Sequence, residues 1–173
     1  MLKTEIKYGI ITGLIICFWH LTEFLLGFHS NKMYIGEYTT YFVVIIPLVT
    51  LYLGIKEMRD KEKGGYISLG CGIRVGLMIS LIASIIFTFY LVIYFNFINS
   101  KYFDLSIAYQ KGKIITREKT GEKFISEIEQ LKFMFSYINQ LLFGILGLIT
   151  SGLIISFTLS MMLKKNHNRT LII

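Results

Sequence analysis

The chain contains 173 residues, 54% of them hydrophobic and 17% charged, with a formal net charge of +7 and a mean hydropathy of +0.60. Soluble domains carry about 25% charged residues, and disordered chains combine low hydrophobicity with high net charge. The composition therefore argues against both classes and indicates an integral membrane protein. The length predicts one domain over residues 1–173.

Four stretches of the chain contain no Asp, Glu, Lys or Arg: residues 8–22, 38–55, 75–100 and 133–163. The last three are long enough to cross the hydrocarbon core of a bilayer, which takes roughly 20 apolar residues, and Phe24 to Leu26 extend the first. Runs such as Leu77 to Tyr94 lack the alternation of barrel strands. We predict an all-α, integral membrane four-helix bundle. Its spans are placed at about 8–26, 38–55, 72–98 and 137–163.

The first span follows a basic start, Lys3 and Lys7, and in this respect resembles a cleaved signal peptide. No small-x-small cleavage pattern follows the apolar run, and Ile16 stands where a lipoprotein cleavage box needs a small residue. We therefore interpret the segment as an uncleaved membrane anchor.

Four spans put both termini on the same side of the membrane. With the N-terminus inside, the inner segments contain ten Lys and Arg residues and the outer segments eight. The inner residues are concentrated in short segments beside the span ends, where the positive-inside rule applies best. We therefore expect both termini to be cytoplasmic. Nucleic-acid binding is not expected, because no soluble face gathers the basic residues.

The segment 99–136, between spans three and four, is the only sizeable part of the chain outside the predicted spans. Four of its apolar residues recur at spacings of four, three and four, as in an amphipathic helix: Phe124, Ile128, Leu131 and Phe135. We expect spans three and four to extend past the membrane as a helical hairpin, with its turn around residues 113–120. Packing of this stripe within the chain is favoured over a groove for a partner protein.

Small residues recur every four positions in three of the predicted spans. Such ridges let helix backbones approach closely, and close packing drives helix association in lipid. The ridge residues are Gly9 and Gly13 in span one, Gly72, Gly76, Ser80 and Ser84 in span three, and Gly152 and Ser156 in span four. We expect the ridges to pack the bundle against itself, with a homo-oligomer or another membrane protein as the alternative contact.

His20 and Glu23 are i, i+3 neighbours on one face of span one, and an ionisable residue within a membrane is a functional candidate. Glu23 lies about three residues from the end of its span, roughly 5 Å of rise, so we expect its carboxylate to be hydrated near the outer headgroups. His29 on the outer turn and His167 on the inner tail are too far apart to complete a set of metal ligands. A structural role for the pair is favoured over an ion or proton site.

The common motifs of enzymes are absent from the sequence, which has no Gly-x-Ser-x-Gly, Walker loop, His-Glu-x-x-His or Cys-x-x-Cys. Cys17 and Cys71 fall in or beside spans one and three, where we expect them to pack as small apolar side chains. We therefore expect no enzymatic activity, no cofactor and no bound metal ion.

Residues 54–70, between spans two and three, read Gly-Ile-Lys-Glu-Met-Arg-Asp-Lys-Glu-Lys-Gly-Gly-Tyr-Ile-Ser-Leu-Gly. This segment resembles the inner-loop signature of a small bacterial membrane family, a domain of unknown function (DUF4199), and it does so at Arg59, Asp60, Gly64 and Gly65. Leu69 departs from the family's usual Phe, and Gly72-Ile73-Arg74 departs from its usual Ala-Phe pair. The resemblance extends in layout over nearly the whole chain. It implies a bacterial cytoplasmic-membrane protein and no activity, cofactor or catalytic residue.

The sequence supports two functional hypotheses. The first is a structural or accessory membrane protein, supported by the small-residue ridges, the helical outer loop and the absence of enzyme motifs. The second is a small transporter or an ion or proton pathway that uses His20, Glu23 and the kink expected at Pro47 in span two. A deep polar cavity beside Glu23 would favour the second hypothesis, and a solidly packed apolar bundle would favour the first.

Overall fold

Each long apolar stretch folds into a helix, because a backbone in lipid has no water to bond with and must satisfy its polar groups internally. The computed structural model describes residues 2–116 and 122–164. Four of its helices are long and apolar enough to cross a membrane: Lys3–Leu25, Met33–Glu62, Leu69–Ile98 and Tyr137–Leu163. Every regular element that the described residues form is helical, which confirms the predicted all-α bundle.

Seven α-helices make up these spans and the hairpin between the last two. They are α1 (Leu2–Leu25), α2 (Met33–Thr39), α3 (Ile45–Glu57), α4 (Leu69–Ile93), α5 (Tyr102–Thr116), α6 (Glu122–Met134) and α7 (Tyr137–Leu163). A 3-10 segment (Thr40–Val44) joins α2 to α3, and π segments (Met58–Glu62 and Tyr94–Ile98) end α3 and α4. The half of the bundle in which α1 begins and α7 ends is called the terminal half. The half that carries α5 and α6 is called the hairpin half.

The second span changes from a 3-10 helix to an α-helix shortly before Pro47, and the proline explains the position of this change. Pro47 lies in the first turn of α3 and has no N–H to donate to the carbonyl of Val43. The tighter 3-10 segment lies directly before this point. The second span begins before residue 38, the expected start, since α2 already begins at Met33. Glu37, the charged residue just before the predicted span, is paired with Lys113.

The hairpin differs from the expected extension of spans three and four. The chain leaves helical geometry around Asn99 and Ser100 and again around Phe135 and Ser136, so α5 and α6 are separate helices. Helix α5 continues to Thr116, well into the expected turn, and residues 117–121 of that turn lie outside the described residues. Helix α6 packs along α5, and all four residues of the apolar stripe are partly buried.

The core of the terminal half is aliphatic and lies where α3, α4 and α7 meet. Helix α4 packs against α1 on one side and α7 on the other. Eight buried side chains form this core: Leu51, Ile55, Met58, Ile67, Val75, Ile79, Leu159 and Leu163. None of them is more than 8% exposed, so they pack closely against one another, and in lipid such close packing is what holds helices together.

Small residues make this close packing possible. A Cβ atom added at Gly76 would lie 2.6 Å from Cβ of Ser156, and one added at Gly152 would lie 2.5 Å from Cβ of Ser80. Gly72 has the same relation to Ser160, at 2.9 Å. Each glycine thus faces a serine across the antiparallel α4–α7 interface, and any larger residue would push the two backbones apart.

Candidate functional site

The hairpin half contains a cavity of about 520 Å³. Side chains of α1, α2, the 3-10 segment, α4, α5 and α7 all contribute to its walls. This volume lies within the range of about 300–1,000 Å³ that is typical of small-molecule sites. Gly147 of α7 is on its wall, and an added Cβ there would meet nothing within 4 Å. Gly147 thus leaves open a part of the wall that a larger side chain would occupy.

A tight turn after α1 brings His29 back over the last turns of that helix. Gly27 adopts a positive φ of 80°, which glycine accepts without steric cost, and the Phe28 N–H donates to the Glu23 carbonyl at 2.9 Å. The ring of His29 consequently lies beside that of His20, with 4.5 Å between the ring centroids. Nε2 of His29 is 3.7 Å from Oε2 of Glu23. The turn thus assembles two imidazoles and a carboxylate on one wall of the cavity.

The burial of Glu23 contradicts the expectation of a hydrated carboxylate. Only 4% of the residue's surface is exposed, although it lies within three residues of the end of α1. The depth of Glu23 along its own helix led to that expectation, whereas the turn that follows α1 places His29 beside the carboxylate. The sequence considered His29 only as a metal ligand together with His167, which lies outside the described residues, whereas the structure places His29 beside His20.

A chain of hydrogen bonds orients His29. The Asn99 side-chain amide donates to Oη of Tyr94 at 3.0 Å, so the Tyr94 hydroxyl is free to donate its own proton to Nδ1 of His29, 2.7 Å away. A neutral His29 then carries its proton on Nε2, the nitrogen that faces Glu23. Tyr94 is completely buried and begins the π segment, so the widened helix end positions both Tyr94 and Asn99 for this contact.

Aromatic rings hold His20 and complete the wall. Nδ1 of His20 is 3.2 Å from Oη of Tyr90, and its ring packs edge-on against Tyr94 with 4.6 Å between the centroids. Tyr102 of α5 covers His29 from the other side, with centroids 5.8 Å apart. Burial raises the pKa of the Tyr102 phenol, which therefore remains protonated at neutral pH. These rings leave the two histidines little contact with water.

Two residues of the cavity wall carry a buried polar atom that has no hydrogen-bond partner among the described residues: Oε1 in Glu23 and Nε1 in Trp19. A buried polar group without a partner costs roughly 1–3 kcal/mol, so two such groups beside one cavity indicate that something else completes their hydrogen bonds. One group is an acceptor and the other a donor. The wall is therefore able to bind a ligand that presents both functions.

The rim of the cavity is held by an ion pair between α2 and α5. Nζ of Lys113 lies 2.7 Å from Oε1 and 2.6 Å from Oε2 of Glu37, and the Gln110 amide donates to the same carboxylate at 2.9 Å. Glu37 thus has its charge compensated at the rim, in contrast to Glu23 in the interior. The pair ties the hairpin to the start of the second span.

The other residues singled out by sequence lie away from this cavity. Gly9 and Gly13 face Ile82 and Ile86 of α4, where an added Cβ would lie 2.6 Å and 3.0 Å from the isoleucine Cβ atoms. Ser84 is buried and lines a second, mostly apolar cavity of about 260 Å³.

The inner-loop residues occupy the turn between the second and third spans. Nε of Arg59 donates to Oδ1 of Asp60 at 2.7 Å, and Gly64 and Gly65 adopt positive φ values of 61° and 87°. Cys17 and Cys71 are free thiols. Among residues 2–116 and 122–164, no three His, Cys, Asp or Glu side chains are placed to hold a metal ion.

Sequence reasoning missed His29, Tyr94, Asn99 and Trp19 as members of the site. The spacing of His20 and Glu23 on one helix face identified only the part of the site that local geometry determines. A signal for His29 was present in Gly27, two residues earlier, because a glycine directly after a helix favours a reversal of the chain. Tyr94 and Asn99 gave no signal, because a π segment has no clear sequence signature.

A family model described as a protein of unknown function (DUF4199) matches residues 7–165. The match includes the four spans, the inner loop and every described residue of the cavity wall named above. Neither the curated proteins nor the solved structures contain a match to this sequence.

Proposed function

The chain belongs to the DUF4199 family, whose description assigns no activity, and from its cavity we propose that it is a multi-pass membrane protein that binds a small solute beside Glu23. The observation that carries the proposal is a cavity of about 520 Å³ next to a carboxylate that is 4% exposed and has an unpartnered oxygen. A buried carboxylate is costly in a bundle that only has to pack. The cavity thus favours the transport hypothesis over the purely structural one.

The walls of the cavity support a binding site more than an open pore. The terminal half is closed by the aliphatic core and by the Gly–Ser contacts between α4 and α7. A solute that enters the hairpin half therefore meets a closed bundle below it. Passage across the membrane would require a second conformation in which the α4–α7 contact opens, so we propose the binding step as the function of this conformation.

For the setting, we propose the bacterial cytoplasmic membrane, with both termini in the cytoplasm and the cavity on the outer side. The support is the group of Lys and Arg residues beside the span ends of the terminal half, which the positive-inside rule assigns to the cytoplasm: Lys3, Lys7, Lys56, Arg59, Lys61, Lys63, Arg74 and Lys164.

Cysteine labelling tests this orientation. In a chain whose Cys17 and Cys71 are replaced by Ala, a membrane-impermeant maleimide should label Lys111→Cys in intact cells. The same reagent should label Lys61→Cys only after permeabilisation. Both lysines are exposed, so accessibility within the protein does not limit the reaction. The opposite pattern would reverse the proposed topology.

Filling the cavity tests the solute-binding function. Gly147→Leu places a side chain into the open space, and Leu also favours the helix, so the fold should persist. Gly70→Leu is the matched control, because Gly70 also has no neighbour within 4 Å but does not line the cavity.

Trp19 is the only tryptophan of the chain and lines the cavity, so its fluorescence reports occupancy. Three probes of similar size differ in charge: ethanolammonium, ethylene glycol and glycolate. At least one should change the fluorescence saturably in the wild type and in Gly70→Leu, and none should do so in Gly147→Leu. A wild type that responds to none of the three, or a Gly147→Leu variant that responds like the wild type, would refute solute binding at this cavity.

A further inference from the structure

We propose that the group bound beside Glu23 is an ammonium group, an inference that rests on the proposed solute-binding function and names the chemical class of the solute. The charges on the cavity wall are the first support. Glu23 and Glu37 line the cavity, and none of the Lys and Arg residues in the described ranges does. The Glu37 carboxylate is neutralised at the rim by Lys113, at 2.6 Å. Within the described part of the chain, Glu23 is therefore the wall carboxylate that has no Lys or Arg paired with it.

His29 makes no hydrogen bond to Glu23. Nε2 of His29 lies 3.7 Å from Oε2 of Glu23, which is longer than a hydrogen bond whichever ring nitrogen carries the proton. Oε1 has no partner among the described residues. The torsion that turns a carboxylate about its last bond is soft, so Oε1 can turn to meet a donor in the cavity. An ammonium group supplies both the missing donor and the missing charge.

The aromatic side chains around the cavity favour a cation over an anion. Trp19, Phe28, Phe87 and Phe143 line it together with further rings, and ring faces carry the negative part of the aromatic quadrupole, which attracts cations and repels anions. Organic ammonium groups bind in aromatic sites of this kind. An organic cation suits the apolar walls better than a metal ion, since the described residues offer no set of three metal ligands.

Trp19 adds a second contact. Trp19 lines the same cavity, and its indole N–H is buried and has no acceptor among the described residues. A ligand that carries an oxygen close to its ammonium group would satisfy both orphan atoms at once. Glu5 shows the contrast, because its carboxylate is 1% exposed and Oε2 is unpartnered, yet it lines neither of the two cavities described above. Burial without adjacent space gives no room for a ligand.

An ammonium group with a nearby oxygen has two sources at a membrane: a free amino alcohol, or the headgroup of phosphatidylethanolamine. The recognition chemistry is the same for both. The two sources are separated by the lipid in which the protein is reconstituted. Phosphatidylglycerol nanodiscs contain no ammonium group, whereas phosphatidylethanolamine nanodiscs present one in every headgroup.

The experiment is a titration of Trp19 fluorescence with ethanolammonium chloride in phosphatidylglycerol nanodiscs, with ethylene glycol and sodium glycolate as neutral and anionic probes. We expect saturable binding of ethanolammonium alone. Glu23→Gln keeps the shape of the side chain and removes its charge, so the Kd should rise about tenfold or more. Glu129→Gln, on an exposed position of α6, is the matched control and should leave the Kd unchanged.

The outcomes separate this inference from the proposed function. Equal binding of ethanolammonium by Glu23→Gln and the wild type, or binding of glycolate or ethylene glycol instead, would overturn the ammonium assignment and leave solute binding intact. A shifted Trp19 spectrum in phosphatidylethanolamine before any ethanolammonium is added, reversed by the free amine, would support the headgroup as the source. Identical spectra in the two lipids, with ethanolammonium binding in both, would support a free amine.

Discussion

The terminal and hairpin halves of the bundle consist of the same four spans, but only one of them is closely packed. In the terminal half, Gly76 and Gly152 face serines, so the α4 and α7 backbones approach closely and an aliphatic core fills the remaining space. In the hairpin half, a cavity lies between the helices, and many of the side chains that line it are aromatic. The same helices thus enclose a filled core at one end and a cavity at the other.

The two halves also differ in how many partners a glutamate carboxylate has. Glu57, at the terminal end, accepts from Nζ of Lys7 at 2.8 Å and from Oη of Tyr8 at 2.7 Å, and Nζ of Lys61 lies 3.4 Å away. Glu23, at the hairpin end, has His29 at 3.7 Å from Oε2, and its Oε1 has no partner among the described residues. Both oxygens of Glu57 are therefore paired, whereas one oxygen of Glu23 is not paired with any described residue.

The largest difference in stability should appear when one glycine in each half is replaced by leucine. Gly76→Leu should lower the free energy of unfolding by about 3 kcal/mol, because the new side chain collides with Ser156 across a tight backbone contact. Gly147→Leu should have little effect, because it extends into open space. Denaturation in detergent micelles, followed by circular dichroism, measures both variants. Equal losses would show that the halves do not differ in packing.

A smaller loss should follow removal of the Tyr94 hydroxyl, which contacts the cavity-lining residue His29. Tyr94→Phe leaves Nδ1 of His29 and the Asn99 amide without their shared partner, and we expect a loss of about 1–2 kcal/mol. Tyr90→Phe is the matched control, because that hydroxyl makes one longer contact of 3.2 Å with His20. The same denaturation assay compares them. A control that loses as much stability as Tyr94→Phe would contradict the proposed chain of hydrogen bonds.

The smallest effect concerns the rim. Lys113→Met removes the ion pair with Glu37, whose side chains are 38% and 34% exposed, so solvent screens it and the loss should be about 0.2–1 kcal/mol. High salt should reduce the difference from the wild type. Lys111→Met, on an exposed position of the same helix, is the control. A larger, salt-independent loss would mean that the rim contact acts as part of the core.

Periodicity and charge along the chain predicted the spans well, because both depend on properties of consecutive residues. The charge-free stretches located all four helices, and glycine and serine at four-residue spacing marked the residues that meet at the α4–α7 contact. The same reasoning placed Glu23 by its depth along α1 and therefore expected it to be hydrated. Lateral cover by other elements has no counterpart in local spacing, so the burial of Glu23 could not be predicted.

The sequence by itself determined the all-α membrane class, the four spans and the family. Length, hydropathy and the inner-loop motif are properties of consecutive residues and do not depend on how the helices pack. Only the tertiary structure decided that His29 joins His20 and Glu23 on one cavity wall, and that Tyr94 and Asn99 form a chain of hydrogen bonds with His29. These residues come from a turn, a π segment and a loop that are distant in sequence. Their meeting depends on how helices with differently sized side chains pack, which is a property of the whole bundle.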